Sequence, residues 1–279
     1  MSDTLGLHEP IHTDTITPTQ TTERTGSQLI LKMCIIILLV LLAAECLIYL
    51  FIIPFTSKAK LQFSGNDTIS EAELKYAAGL TGTETWGRFN TALVSRRLAS
   101  YPLIAEAKVI KKYPDKVIIE LTERKPVGVL FAAVGGRTVS MEIDKTGTVF
   151  KIASNESYRT LPVISGLLFQ NIRAGMKVHK QLVPLFRQLD ILQKKNPALL
   201  SEISEIKIEQ KKYGGFDLIL YPVQMQIKVR TDSTLNADRL QYMMLVLDVI
   251  RELDLHSKIE ELDVRAGTAS YRLRGETDE

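Results

Sequence analysis

Residues 105–127 read AEAKVIKKYPDKVIIELTERKPV. Ala105, Ala107 and Val109 alternate with Glu106 and Lys108. Further on, Val117, Ile119 and Leu121 alternate with Ile118, Glu120 and Thr122. Side chains along a strand point to opposite faces in turn, so both stretches read as half-buried β-strands. Tyr113-Pro114-Asp115-Lys116 between them has the residues of a tight turn. Two such strands need a third partner and a cover for their apolar face.

The residues upstream supply both. Residues 61–65 alternate and read as a further strand. Ser70 suits a helix N-cap, and Glu73 three positions on completes a capping box. The helix so opened runs through Ala78 and stops at Gly79. A second helix is predicted over 89–99, with Phe89, Leu93, Val94 and Leu98 inward and Arg96 and Arg97 in solvent. Tyr101-Pro102 ends it, because a residue before proline disfavours helical geometry. The order is strand, helix, helix, strand, strand. A three-stranded sheet under two helices buries those faces most simply.

Downstream, 127–134 and 138–143 read as strands around a Gly135-Gly136 turn. Asp144-Lys145-Thr146-Gly147 makes a second turn before a strand at 148–152, and a loop then runs to Leu161-Pro162-Val163-Ile164-Ser165-Gly166. Leu182, Leu185, Phe186, Leu189 and Leu192 form a helical stripe with Pro184 in its first turn, closed by Asn196-Pro197. Strands are predicted at 203–210, 216–221 and 225–230. A helix from Asn236 carries Leu240, Met243, Met244, Leu247 and Ile250, the two methionines as core filling. Strands at 261–264 and 270–273 complete an α+β fold.

The N-terminal part differs. Residues 1–28 are rich in Thr and Pro and read as a disordered tail. His8 and His12 fall there without a helix to align them on a metal. Residues 33–55 hold a single charge, Glu45. A helix of that length covers about 34 Å, against a hydrocarbon core of about 30 Å, and exceeds the apolar core of a cleaved signal peptide. The expected division is a tail over 1–28, a membrane helix over 29–55, domains over 58–126 and 127–275, and a short end at 276–279. Counting cations on either side of the span gives no orientation. A single anchor followed by a large cysteine-free region favours the N-terminus inside. Glu45 near mid-span reads either as buried against a neighbour or as a contact with another membrane protein.

Several strings carry a resemblance. Leu-Gln-Phe-Ser-Gly-Asn at 61–66, Ile-Ser-Glu-Ala-Glu-Leu at 69–74 and RLASYPLIAEAKV at 97–109 look like a POTRA domain. KKYPDKVIIELTERKPV at 111–127 resembles the end of that domain in the FtsQ/DivIB cell-division proteins. The Asp-x-x-Gly turn at 144–147 before Val149-Phe150, the Leu-Pro-x-x-x-Gly string at 161–166 and IEELDVR at 259–265 are similar to the same family. The resemblance implies a non-enzymatic divisome scaffold in septum formation, at the inner membrane and division septum. It implies partners such as the small coiled-coil proteins FtsB and FtsL, bound through the last strands. The matching residues are Leu262, Val264, Arg265, Ser270, Tyr271 and Leu273. The alternatives are a POTRA component of outer-membrane assembly or secretion, which needs repeated POTRA units or a barrel pattern, and an anchored cell-wall hydrolase, which needs a catalytic constellation.

Other chemistry is not signalled. Net charge is only +3, too balanced for a dedicated nucleic-acid binder. The two cysteines, Cys34 and Cys46, both fall in the apolar span, which leaves no thiol for a disulfide framework or a Cys-based zinc site beyond it. No hydrolase, phosphate-loop or dinucleotide motif occurs. His179 before one helix and His256 at the end of another read as structural. Glu260 and Glu261 are expected to face opposite ways on a strand. Lys111-Lys112, Lys194-Lys195 and Lys211-Lys212 read as solvated surface. Catalytic residues, cofactor, metal, small-molecule substrate and nucleic acid are all expected to be absent. The mean hydropathy of +0.04 is the average of an apolar span and an ordinary polar protein.

Overall fold

The computed structural model describes residues 24–134, 137–152, 161–169 and 171–275. The Gly135-Gly136 turn, the tail through residue 23 with His8 and His12, and residues 276–279 lie outside them. The chain forms two units, residues 1–56 and 57–279.

The described part of the first unit, from Arg24, is helical. Helix α1 spans Arg24–Leu47, a π turn covers Ile48–Ile52, and α2 spans Ile53–Thr56. Residues 24–28, expected in the tail, are therefore helical. Pro54 explains the π turn. It has no N–H to donate, and its ring would press on the carbonyl four residues back. The helix relaxes to the wider repeat just before it, and the Ile53 N–H reaches the Ile48 carbonyl. Gln28–Thr56 is long and apolar enough to cross a bilayer.

The second unit opens with the expected three-stranded sheet. Strands β1 (Lys60–Ser64), β2 (Ile104–Lys112) and β3 (Lys116–Glu123) lie in the order β1-β3-β2. Strand β1 runs parallel to β3, and β2 antiparallel to it. Helices α3 (Glu71–Ala78) and α4 (Thr91–Ser100) contribute to the same apolar core as Val117, Ile119 and Leu121. Ser70 caps α3 by accepting from Glu73 N. The reciprocal half of the expected capping box is not made: the Glu73 carboxylate instead accepts from the Tyr101 hydroxyl beyond α4. Asn90 caps α4, which starts the helix after Phe89 and turns Leu93 outward, 40% exposed. A bulge between Ile104 and Glu106 puts Ile104 rather than Ala105 in the core. Gly79 ends α3 at φ 66°, and Arg97 donates to the Ala78 carbonyl there.

The rest is one nine-stranded mixed sheet. Its strands are β4 (Pro126–Val134), β5 (Arg137–Asp144), β6 (Val149–Ile152), β7 (Val163–Ser165), β8 (Ile203–Gln210), β9 (Phe216–Pro222), β10 (Lys228–Thr231), β11 (Ile259–Asp263) and β12 (Ser270–Leu273). They are ordered β12-β11-β10-β9-β8-β7-β4-β5-β6. Helices α5 (Val183–Lys195), α6 (Pro197–Ser201) and α7 (Ala237–Glu252) share one core with it. Leu185, Phe186 and Leu189 are fully buried, as the helical stripe requires. Three elements depart from expectation. Val163–Ser165 is a strand, not loop, pairing in parallel with β4 and β8. Asn196-Pro197 ends α5 but also opens α6, where proline at the first helical position costs nothing. Strand β10 begins at Lys228, later than the predicted 225.

Gly166 follows β7 at φ 82°, and a Cβ there would sit 2.1 Å from the Ile208 carbonyl oxygen. Only glycine lets the chain leave β7 so close to β8.

One buried ion pair joins the two folded parts of this unit. Arg124, just after β3, places Nη1 2.5 Å from Asp144 Oδ2 at the end of β5. The side chains are 13% and 3% exposed. Asp144 Oδ1 also accepts from Thr146 N at 2.9 Å, Thr148 N at 2.8 Å and Thr146 Oγ1 at 2.7 Å. Arg124 Nε donates to the Pro102 carbonyl at 3.0 Å. The Asp-x-x-Gly turn thus carries the contact between the sheets. Replacing Asp144 by Ala strands a cation and several donors, and should cost about 3 kcal/mol or more. Urea unfolding of the detergent-solubilised chain, followed by circular dichroism, checks this.

A second prediction concerns pH. The Glu123 carboxylate accepts from Thr68 N and Ile69 N, both at 3.0 Å, and from Thr68 Oγ1. Burial alone would raise its pKa, but these hydrogen bonds outweigh it and hold the group below the usual carboxylate range. A depressed folded-state pKa stabilises above the unfolded value, and the gain is lost as pH falls through the folded pKa. The gap in melting temperature between the native chain and Glu123→Gln should be present at pH 7 and shrink in acid below the ordinary carboxylate pKa.

Candidate functional site

Among the described residues, strand β12 is the last of the nine-stranded sheet and pairs with β11. The register sets Leu273 against Ile259, Arg272 against Glu261, Tyr271 against Leu262 and Ser270 against Asp263, with a bulge between Ile259 and Glu261. Tyr271 is 60% and Leu273 37% exposed, and Ser270 is exposed as well. These three form an accessible strip along β12. Leu262 and Val264 differ: each is 1% exposed and belongs to the core. Their side chains support β11 from within and do not face outward, so they drop out of the expected contact set.

Arg265 is exposed but engaged. Its guanidinium contacts Asp263 at 2.5 Å and Asp217 at 2.8 Å. The hydrogen bond to Asp263 comes first among the causes that raise the Arg265 pKa, and the same bond lowers that of Asp263. Lys211 reaches Asp217 from the other side at 2.7 Å.

A second ionic chain draws its residues from four strands. Arg230 on β10 bonds Glu209 on β8 and, at 2.5 Å through Nε, Glu261 on β11. Glu261 is held in turn by Arg272 of β12 at 3.0 Å. Burial works against the Arg230 charge, yet its bonds to Glu261 and Glu209 carry its pKa above the ordinary value. Lys228 adds a contact to Glu260 at 3.2 Å. Lys228 and Arg230 lie two residues apart, on one face of β10. The bulge in β11 therefore brings Glu260 and Glu261 to neighbouring cations on that face, not to the opposite faces expected from simple alternation. Arg272, Tyr271 and Ser270 line a surface depression of about 340 Å³ together with Arg230, Glu261 and Arg265.

The remaining sequence candidates are accounted for locally. His179 Nδ1 accepts from Gln181 N at 3.4 Å ahead of α5. His256 lies past the end of α7, with Nδ1 3.4 Å from Asp254. Lys111 donates to the Gly87 carbonyl and lies 4.9 Å from the Trp86 ring centre, and Lys194 pairs with Asp190. No cluster of His, Cys, Asp or Glu suited to a metal occurs among the described residues.

The family described as "POTRA domain, FtsQ-type" matches residues 57–124. That described as "Cell division protein FtsQ/DivIB, C-terminal" matches residues 133–265. The chain belongs to the FtsQ/DivIB family. Curated relatives agree. A cell division protein FtsQ of Koribacter versatilis is 29% identical over 58% of this chain and 48% of its own length. One of Syntrophotalea carbinolica is 25% identical over 57% and 55%. A cell division protein DivIB of Listeria monocytogenes is 25% identical over 69% and 65%. The chain spans about half the length of the first two relatives. The C-terminal match stops at Arg265, so β12 lies beyond it.

The ionic chain has a measurable consequence. Removing Glu261 leaves Arg230 and Arg272 facing each other, so Glu261→Ala should cost about 2 kcal/mol, discounted for their partial exposure. Glu120→Ala, which breaks a Lys108 pair with both side chains more than half exposed, should stay within about 0.5 kcal/mol. Hydrogen exchange should show faster exchange at β12 in the first variant only.

Proposed function

We propose that this chain is a non-enzymatic scaffold of the cell-division machinery, and that it acts by offering the edge of β12 to a partner. The carrying observation is the place of β12, last in the order of the described sheet, with Ser270, Tyr271 and Leu273 exposed along it. An extended segment can join the last strand of a sheet as an added strand. Tyrosine is among the residues that most often anchor such contacts.

Family membership supports a role in septum formation. In this reading the helix within Gln28–Thr56 anchors the chain in the cytoplasmic membrane, with the N-terminus inside and both folded domains outside. The partners are small coiled-coil division proteins of the FtsB and FtsL type, together with other divisome proteins. A strand from such a partner would lie against β12, with Tyr271 and Leu273 supplying side-chain contact. Arg265 contributes by fixing the end of β11 through Asp263 and Asp217.

Replacing Tyr271 and Leu273 together with Glu should abolish co-purification of the coiled-coil partners, while circular dichroism of the variant stays native. A folded double variant that binds those partners normally overturns strand addition at this edge. Depletion of the chain should give filamentous cells with blocked septa. Loss of outer-membrane proteins without filamentation would instead support a role in outer-membrane assembly.

A further inference from the structure

The three-stranded sheet sets three lysines in line. Lys60 on β1 is aligned with Lys116 on β3, and Lys116 with Lys112 on β2. They are the first residue of β1, the first of β3 and the last of β2, so the row closes one end of the sheet. Strands lie about 5 Å apart, and like charges directly opposite each other repel. Val117, the next residue after Lys116, is buried in the core shared with α3 and α4. The row therefore projects from the face away from the helices. All three lysines are exposed. Lys60 meets Asp115 at 2.6 Å, whereas Lys112 and Lys116 have no ion pair among the described residues.

The chain enters the folded unit at this same end. Ser57 follows Thr56, the last residue of the apolar helix, and its carbonyl accepts from Trp86 N at 2.9 Å. Lys58 bridges to Thr85 and lies at most about 7 Å from Thr56 along the chain. Trp86 Nε1 donates to the Lys116 carbonyl at 3.0 Å. Its ring meets that of Tyr113 edge-on, with centres 6.3 Å apart, and Tyr113 is 52% exposed. These bonds tie the entry of the chain, the Trp86 loop and the β2–β3 turn into one surface. The acids on it are engaged: Asp115 with Lys60, and Glu84 with the N–H groups of Thr81 and Gly82.

We propose that this face binds the headgroups of anionic phospholipid in the leaflet where the helix ends, with Lys58, Lys112 and Lys116 on the phosphates and Tyr113 at headgroup level. The inference rests on the reading of Gln28–Thr56 as a membrane span and is independent of β12. Continuity selects the occupant. A span that ends at Thr56 leaves Ser57 at the headgroups, and the Ser57 bond keeps the Trp86 loop beside it. Charges act on a lipid surface only within a screening length, about 8 Å at physiological salt. Each basic residue so placed strengthens attachment about fivefold. Amphipathic aromatics favour the same layer. Phosphate oxygens between neighbouring lysines also relieve the repulsion along the row.

Trp86 is the chain's one tryptophan and reports on this face directly. Full-length chain is reconstituted in vesicles of phosphatidylcholine alone and in vesicles of equal parts phosphatidylcholine and phosphatidylglycerol. Both carry the same fraction of lipid with a nitroxide on its headgroup. Quenching of Trp86 should be stronger in the anionic vesicles, and high salt should abolish the difference. Lys112→Glu with Lys116→Glu should lower the ratio of docked to free domain at least about tenfold. Quenching should then match that in phosphatidylcholine, with circular dichroism unchanged. Lys112→Gln with Lys116→Gln should melt no lower than the native chain in neutral detergent, yet lose most of the difference. A difference that survives both double variants overturns the proposal. Chain that alkaline carbonate strips from the vesicles overturns the span reading and this inference with it. Chain that is retained but quenched equally in the two vesicles overturns this inference alone, and assigns the lysine row to an acidic protein.

Discussion

The Asp144 carboxylate is the point from which the folded part of the molecule beyond residue 57 is built. One oxygen closes the turn between β5 and β6 by accepting from Thr146 and Thr148. The other meets Arg124, which arrives from the end of the three-stranded sheet. A turn and an inter-sheet contact thus share one buried side chain. Breaking a buried pair is costly because the remaining charge loses its partner while staying out of water. Arg124 also holds the Pro102 carbonyl, so the loop before β2, the end of β3 and the end of β5 converge on one guanidinium. Two separate apolar cores are in this way given a fixed relation by a polar contact.

At the far end of the large sheet the logic is different. An edge strand is a liability, because its free backbone groups invite any strand. Strand β12 is only four residues long, which limits that invitation. Its position is secured by the Glu261–Arg272 contact and by Arg274, which donates from its backbone N–H to the Lys258 carbonyl at 2.8 Å. The strand is therefore firmly placed in the sheet. Tyr271 and Leu273 leave apolar surface exposed along it.

Much of this was legible in the residues. Alternation located β2 and β3, and the cap signals at Ser70 and Gly79 bounded α3 closely. The Asp-x-x-Gly turn could be read as a turn, but its partner Arg124 could not. Contacts between residues distant in sequence depend on register, and register is not written in local pattern. The same holds for Glu209, Arg230, Glu261 and Arg272, which look like ordinary surface charges until four strands align them. Short elements were lost for another reason. Val163–Ser165 has too few residues to show a period and follows a proline. Helix periodicity counted from Phe89 points Leu93 inward, whereas Asn90 begins the helix later. The resemblance points to Leu262 and Val264 as contacts, while their side chains are buried in the core.

Strand β7 also has a mechanical side. On one flank, β4, β5 and β6 form an antiparallel plate, and on the other β8 and β9 begin a larger one. Among the described residues β7 joins them, aligned with β4 at two positions and with β8 at three. By contrast, β8 and β9 are aligned along nearly their whole length. A load drawn along the sheet from β12 toward β4 must cross this narrow seam. Deformation concentrates where the fewest backbone bonds share the stress, and the two-position β4–β7 junction is shorter than the three-position junctions of β10 with β9 and β11.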